Sequence, residues 1–89
     1  MLAKYVVADP IGLHARPLSI LVQEVSKYDV PMFLHYQQKK VPMHSLMMLM
    51  SLGVPHQGEI AIEIDSEDAS SIHDALKAVM LKEGLIKPT

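Results

Sequence analysis

The chain has no cysteine and no tryptophan, one phenylalanine and three tyrosines in 89 residues. Without cysteine there is no disulfide framework, no thiolate metal site and no thiol nucleophile. So few aromatics give no stacking platform for nucleic-acid bases. Positive charge is also scarce: the formal net charge is −2. This argues against a sequence-independent grip on nucleic acid, which needs a basic field. The longest apolar runs, such as residues 46–50, fall far short of a membrane span. The first ten residues, MLAKYVVADP, lack the apolar core of a signal peptide, so a cytoplasmic protein without membrane insertion is expected. Nor is there a glycine-rich nucleotide loop, a Walker lysine or an obvious carboxylate pair for magnesium.

What is present is 49% hydrophobic residues, enough for one core and hence one domain over residues 1–89. The hydrophobic period changes along the chain. Residues 2–8, LAKYVVA, read as a strand stopped by a turn at DPIG. Leu18, Leu21, Val22 and Val25 then share one helical face, which predicts a helix over about 15–27. MFLHY (32–36) and KKVPM (39–43) read as two strands meeting at Gln37-Gln38. Pro42 places the second of them at an edge or near its end. Residues 45–53, SLMMLMSLG, have a capping serine in front and a glycine behind, as a short helix does. EIAIEID (59–65) alternates cleanly, with Ile60, Ile62 and Ile64 on one face. Ala69, Ile72, Ala75, Leu76, Val79 and Met80 form the stripe of a last helix ending near Gly84.

The resulting order is βαββαβα. A strand with one polar face implies a four-stranded antiparallel sheet, solvated on one side and covered on the other by three helices: an α+β open-faced sandwich.

The chemistry concentrates at GLHARP, residues 12–17. Gly12 suits a sharp corner. His14 falls at or near the N-cap of the first helix, and Pro17 lies in its first turn, where a missing N–H costs little. The imidazole would then stand beside free N–H groups at a positive dipole end. A phosphoryl group on the ring would be held there by N–H groups of Ala15, Arg16 or Leu18, with the Arg16 guanidinium adding charge. With no nucleotide loop, the phosphoryl group would come from another phosphorylated protein. On these residues alone, a plain solvated histidine at a helix start remains open. A small enzyme using His14 as acid or base would need a second catalytic group, and none stands out.

GLHARP at the end of a first strand closely resembles the active-centre motif of the HPr family, the histidine-containing phosphocarriers of the bacterial sugar phosphotransferase system. LVQEVSKYD, HSLMMLMSLG, GEIAIEI and DALKAVMLKEGL resemble the same family in order and spacing, so the resemblance covers essentially the whole chain. It implies phosphorylation of His14 on Nδ1, with Arg16 as charge partner and Gly12 and Pro17 shaping the corner. It implies phosphate taken from enzyme I and passed to sugar-specific IIA proteins, with no cofactor. Ile11 departs from the pattern, standing where a small polar residue is common.

Ser45 reads first as an N-cap. HSLM also resembles the serine site that a regulatory kinase, HPr kinase/phosphorylase, modifies in Gram-positive HPr proteins, with His44 replacing the usual lysine. That resemblance implies a second reading: a regulatory paralogue that acts through phospho-Ser45 on a catabolite control transcription regulator. In such a paralogue the active histidine is replaced, whereas His14 is kept. Leu49 and Leu52 are expected in the core. Leu46, Met47 and Met50 are expected in an exposed docking patch, joined by Ile20, and Met48, where the family often has glycine, either enlarges that patch or packs beneath it. The remaining histidines, His35, His44, His56 and His73, lack the i, i+4 spacing of a helical metal site, so no metal is expected.

Overall fold

The computed structural model describes residues 1–88. The elements are β1 (Leu2–Val6), α1 (Ala15–Val25), β2 (Met32–Tyr36), β3 (Lys39–Pro42), α2 (Leu46–Ser51), β4 (Glu59–Ile64) and α3 (Ala69–Lys82). The four strands form one antiparallel sheet in the order β1-β4-β2-β3. The expected open-faced sandwich is therefore the observed one, and Pro42 lies on an edge strand.

Register follows from side-chain alternation. Ile60, Ile62 and Ile64 of β4 are buried, as are Leu34 and Met32 opposite them on β2. The helices cover this face with Leu18, Leu21 and Val25 of α1, Leu49 of α2, and Ile72, Leu76 and Met80 of α3. Apolar stripes that cannot be satisfied by either layer alone are removed from water together. The other sheet face carries Glu63, His35 and Lys40. The His35 Nε2–H donates to Glu63 Oε1 at 2.7 Å, Lys40 lies 3.4 Å from the same oxygen, and the two hold the Glu63 carboxyl below its ordinary range, His35 foremost.

Some element ends differ from the sequence pattern. The first helix stops at Val25 rather than near Lys27 because its last turn tightens: Lys27 and Tyr28 donate to carbonyls three residues back, on Glu24 and Val25. The first strand leaves the β4 ladder after Val6. Val7 bridges instead to Ile86, and Lys87 N–H reaches the Val6 carbonyl at 2.9 Å. That turn of chain is set by Gly84, whose φ of 70° lets Leu85 N–H return to the Met80 carbonyl and Gly84 N–H to Leu81. Leu85 and Ile86 are thereby buried beyond the end of α3.

Candidate functional site

The corner between β1 and α1 is built from backbone constraints. Asp9, Pro10, Ile11 and Gly12 form a tight turn closed by Gly12 N–H to the Asp9 carbonyl at 2.9 Å. Aspartate first, proline second and glycine fourth is the preference of a type I turn. Asp9 Oδ1 reinforces it by accepting the Ile11 N–H at 2.9 Å. Gly12 then takes φ 87°, and a Cβ there would run into the Val54 carbonyl oxygen and crowd Pro55. That close approach lets Leu13 N–H donate to Val54 at 3.0 Å. The corner is thus fastened to the segment that follows α2.

His14 is the N-cap of α1, with extended backbone angles. Its side chain does not cap the helix. The ring turns back to the preceding turn, where Nε2–H donates to Asp9 Oδ2 at 3.0 Å. The side chains are 32% and 15% exposed respectively. The Ile11 N–H first, and the His14 ring second, hold the Asp9 carboxyl below the usual carboxylate range. His56, in the segment between α2 and β4, joins the cluster through Nδ1, which donates to the Asp9 carbonyl at 3.2 Å.

At the helix start, Leu18 N–H donates to the His14 carbonyl at 3.1 Å. It is therefore already used, contrary to the expectation that it could serve an anion. Pro17, buried, has no N–H to offer. The Ala15 and Arg16 N–H groups have no partner among the described residues. Arg16 is exposed and makes no ion pair among them. Two unpartnered N–H groups at the positive end of an eleven-residue helix favour an anionic group at its start, with the Asp9 carboxylate facing the other nitrogen of the ring.

Asp9 and His56 were not singled out from the sequence. For Asp9 a signal existed: D-P-x-G brings its carboxylate back over the residues just beyond the turn. His56 had no local signal, since its partner is 47 residues away.

Ser45 caps α2 as expected, its Oγ accepting the Met48 N–H at 3.2 Å. Leu49 and Leu52 are core. Met47 is 81% exposed and Met50 45%. Met48 is exposed too and enlarges the patch. Leu46 is a correction: it is half-buried and packs on the core, on a helix that lies against α1. Ile20 is likewise half-buried. Among the described residues no group of three or more histidines and carboxylates is arranged to hold a metal. No helix is long and apolar enough to cross a membrane. A shallow cleft of about 300 Å³ on the open sheet face, lined by Lys4, Val6, His35, Glu59 and Ala61 among others, receives no side chain from the His14 corner.

The chain is an open-faced βαββαβα sandwich with a histidine at the start of its first helix, and comparison with known proteins says which family shares this arrangement. The family model described as "PTS HPr component phosphorylation site" matches residues 2–82. The chain belongs to this family, the HPr phosphocarriers of the phosphotransferase system. Among solved structures it is similar to the histidine-containing phosphocarrier protein of Mycoplasma, at 31% identity over 98% of this chain and 99% of that one, with a TM-score of 0.92. It is similar to the phosphocarrier protein HPr of Bacillus anthracis, at 30% identity over 89% and 94%, with a TM-score of 0.80. It is also similar to Crh, a catabolite repression protein of Bacillus subtilis seen as a swapped dimer, at 35% identity over 86% and 88%, with a TM-score of 0.71.

Proposed function

We propose that the chain is a phosphoryl carrier that takes phosphate on His14 from phosphorylated enzyme I and passes it to sugar-specific IIA proteins in the cytoplasm. The observation that carries this reading is the His14 ring itself. Nε2 is tied to Asp9, Nδ1 has no partner among the described residues, and the adjacent helix start has unpartnered N–H groups. A neutral imidazole nitrogen attacks phosphorus near neutral pH, and the phosphoramidate formed is readily transferred onward. Arg16 supplies a mobile cation for the phosphate oxygens once they arrive. Gly12 and Pro17 keep the corner in shape. The carrier needs no metal or nucleotide of its own, because the donor brings the phosphoryl group. Met47 and Met50, with the flanks of Leu46 and Ile20, offer adaptable apolar contact to partners of different shape.

The test is incubation with enzyme I and phosphoenolpyruvate, followed by location of the label. An acid-labile phosphate on His14 is expected, with no label on His14→Ala. Equal labelling of the two proteins refutes the assignment.

A second role is supported by the similarity to Crh and by the position of Ser45. The Ser45 hydroxyl is half-exposed at the first turn of α2, beside the methionine patch. Phosphate there adds charge to a docking face without removing the helix, and this suits modification by HPr kinase/phosphorylase and recognition by a catabolite control transcription regulator. Restoration of sugar uptake in a strain lacking HPr supports the carrier role. Failure to restore it, with Ser45 still labelled by the kinase and ATP, leaves the regulatory role alone.

A further inference from the structure

We infer that Asp9 is a positioning residue for phosphotransfer: its carboxylate keeps the proton of the neutral His14 ring on Nε2 and so leaves the lone pair on Nδ1. The inference rests on the carrier reading of His14 and deepens it. A carboxylate only accepts hydrogen bonds, so a ring nitrogen 3.0 Å from Asp9 Oδ2 must be the one that bears hydrogen. Asp9 cannot easily turn away. Its other oxygen accepts the Ile11 N–H, its carbonyl closes the turn with Gly12 N–H, and that carbonyl also accepts from His56. The carboxyl is held by one bond within the turn, and the Asp9 backbone by two more, in a turn that is itself fastened to the segment after α2. The geometry is that of a histidine oriented by a second group, where the orienting bond decides which nitrogen reacts.

The Nδ1 lone pair forms the N–P bond while the bond from phosphorus to the donor's leaving atom breaks, its electron pair departing with the donor. The proton on Nε2 stays in place. The ring, now bonded to phosphorus and still protonated on Nε2, is cationic, and the Asp9 carboxylate faces that charge at hydrogen-bond distance. In onward transfer the N–P bond breaks with its pair returning to Nδ1, and a neutral imidazole leaves, again protonated on Nε2. One carboxylate thus serves the nucleophile, the charged intermediate and the leaving group.

The discriminating variant is Asp9→Asn. The Ile11 N–H requires an oxygen, so the amide NH2 is left facing Nε2. An NH2 group donates, and this favours the ring proton on Nδ1, where it blocks attack. Asp9→Ala leaves Nε2 without a partner and populates both tautomers. Nitrogen-15 NMR of the His14 ring in mildly alkaline solution reads the tautomer directly, without any phosphotransfer. The expected order is Nε2–H in the parent, a mixture in Asp9→Ala, and Nδ1–H predominating in Asp9→Asn. Phosphorylation by enzyme I is expected to fall about tenfold or more in Asp9→Asn, with Asp9→Ala between it and the parent. A merely structural role gives the reverse order, since asparagine preserves shape better than alanine. An unchanged tautomer in Asp9→Asn, or Asp9→Asn transferring faster than Asp9→Ala, overturns the inference. A parent that is never labelled on His14 overturns the carrier reading, and the tautomer series still decides the role of Asp9.

Discussion

All three helices start from a polar cap residue, and the first two use it in opposite ways. Ser45 points its hydroxyl at α2 and accepts the Met48 N–H, as a capping residue ordinarily does. His14 occupies the same cap position on α1 and turns its ring away, to Asp9, leaving the Ala15 and Arg16 N–H groups without partners among the described residues. The first arrangement stabilises a short helix. The second gives up local stabilisation and, on the proposed carrier role, keeps a nucleophile and the N–H groups for its phosphate accessible. Chemistry at a helix start requires that the cap residue not be consumed by capping.

Exchanging the demands on the two caps tests this contrast. The largest effect is expected for His14→Ala: complete loss of histidine phosphate in the enzyme I assay, with only a small fall in denaturant midpoint, because the ring caps nothing and gives up one partly exposed hydrogen bond, to Asp9. If His14→Ala unfolds as readily as a core variant, the contrast fails. Next is Gly12→Ala. The φ of 87° and the encounter with the Val54 carbonyl predict destabilisation of about 2 kcal/mol or more by urea unfolding. Transfer should suffer as well, since the corner moves. Ser45→Ala is expected to cost about 1 kcal/mol of stability while histidine phosphorylation continues at the parent rate. A Ser45→Ala protein with unchanged stability shows that its cap contributes nothing.

The smallest effect is acidic. The Ile11 N–H and the His14 ring lower the Asp9 carboxyl, so the stability this group contributes is fully present above about pH 4, the ordinary carboxylate range, and is lost as pH falls through its lower folded value. The stability difference between the parent and Asp9→Asn should therefore persist down to about pH 4 and shrink only in stronger acid. A difference that instead disappears between neutrality and pH ~5 contradicts the sign of this shift.

The residues show where legibility ended. Ile60, Ile62 and Ile64 alternate, and the strand and its buried face followed. Ser45 before an apolar run marked the start of α2 because capping is local. Leu46 was misplaced because a helix apolar all round does not declare which side its neighbours cover; the packing of the core decides that. The Val7 to Ile86 bridge was invisible for a related reason: pairing between residues so far apart in the chain leaves no period to read. Arg16 was expected, from the family resemblance, to be the charge partner of a phosphoryl group on His14, and in the structure its side chain is exposed with no ion pair among the described residues.

By itself the sequence determined the seven elements, the sandwich they build and the presence of a histidine at a helix start, because hydrophobic period, turn residues and caps act within a few positions. Only the tertiary structure decided what that histidine faces. The Asp9 contact depends on a turn closing in three dimensions, and the turn is held by Val54 and His56, residues of the segment after α2 that no local pattern ties to the corner.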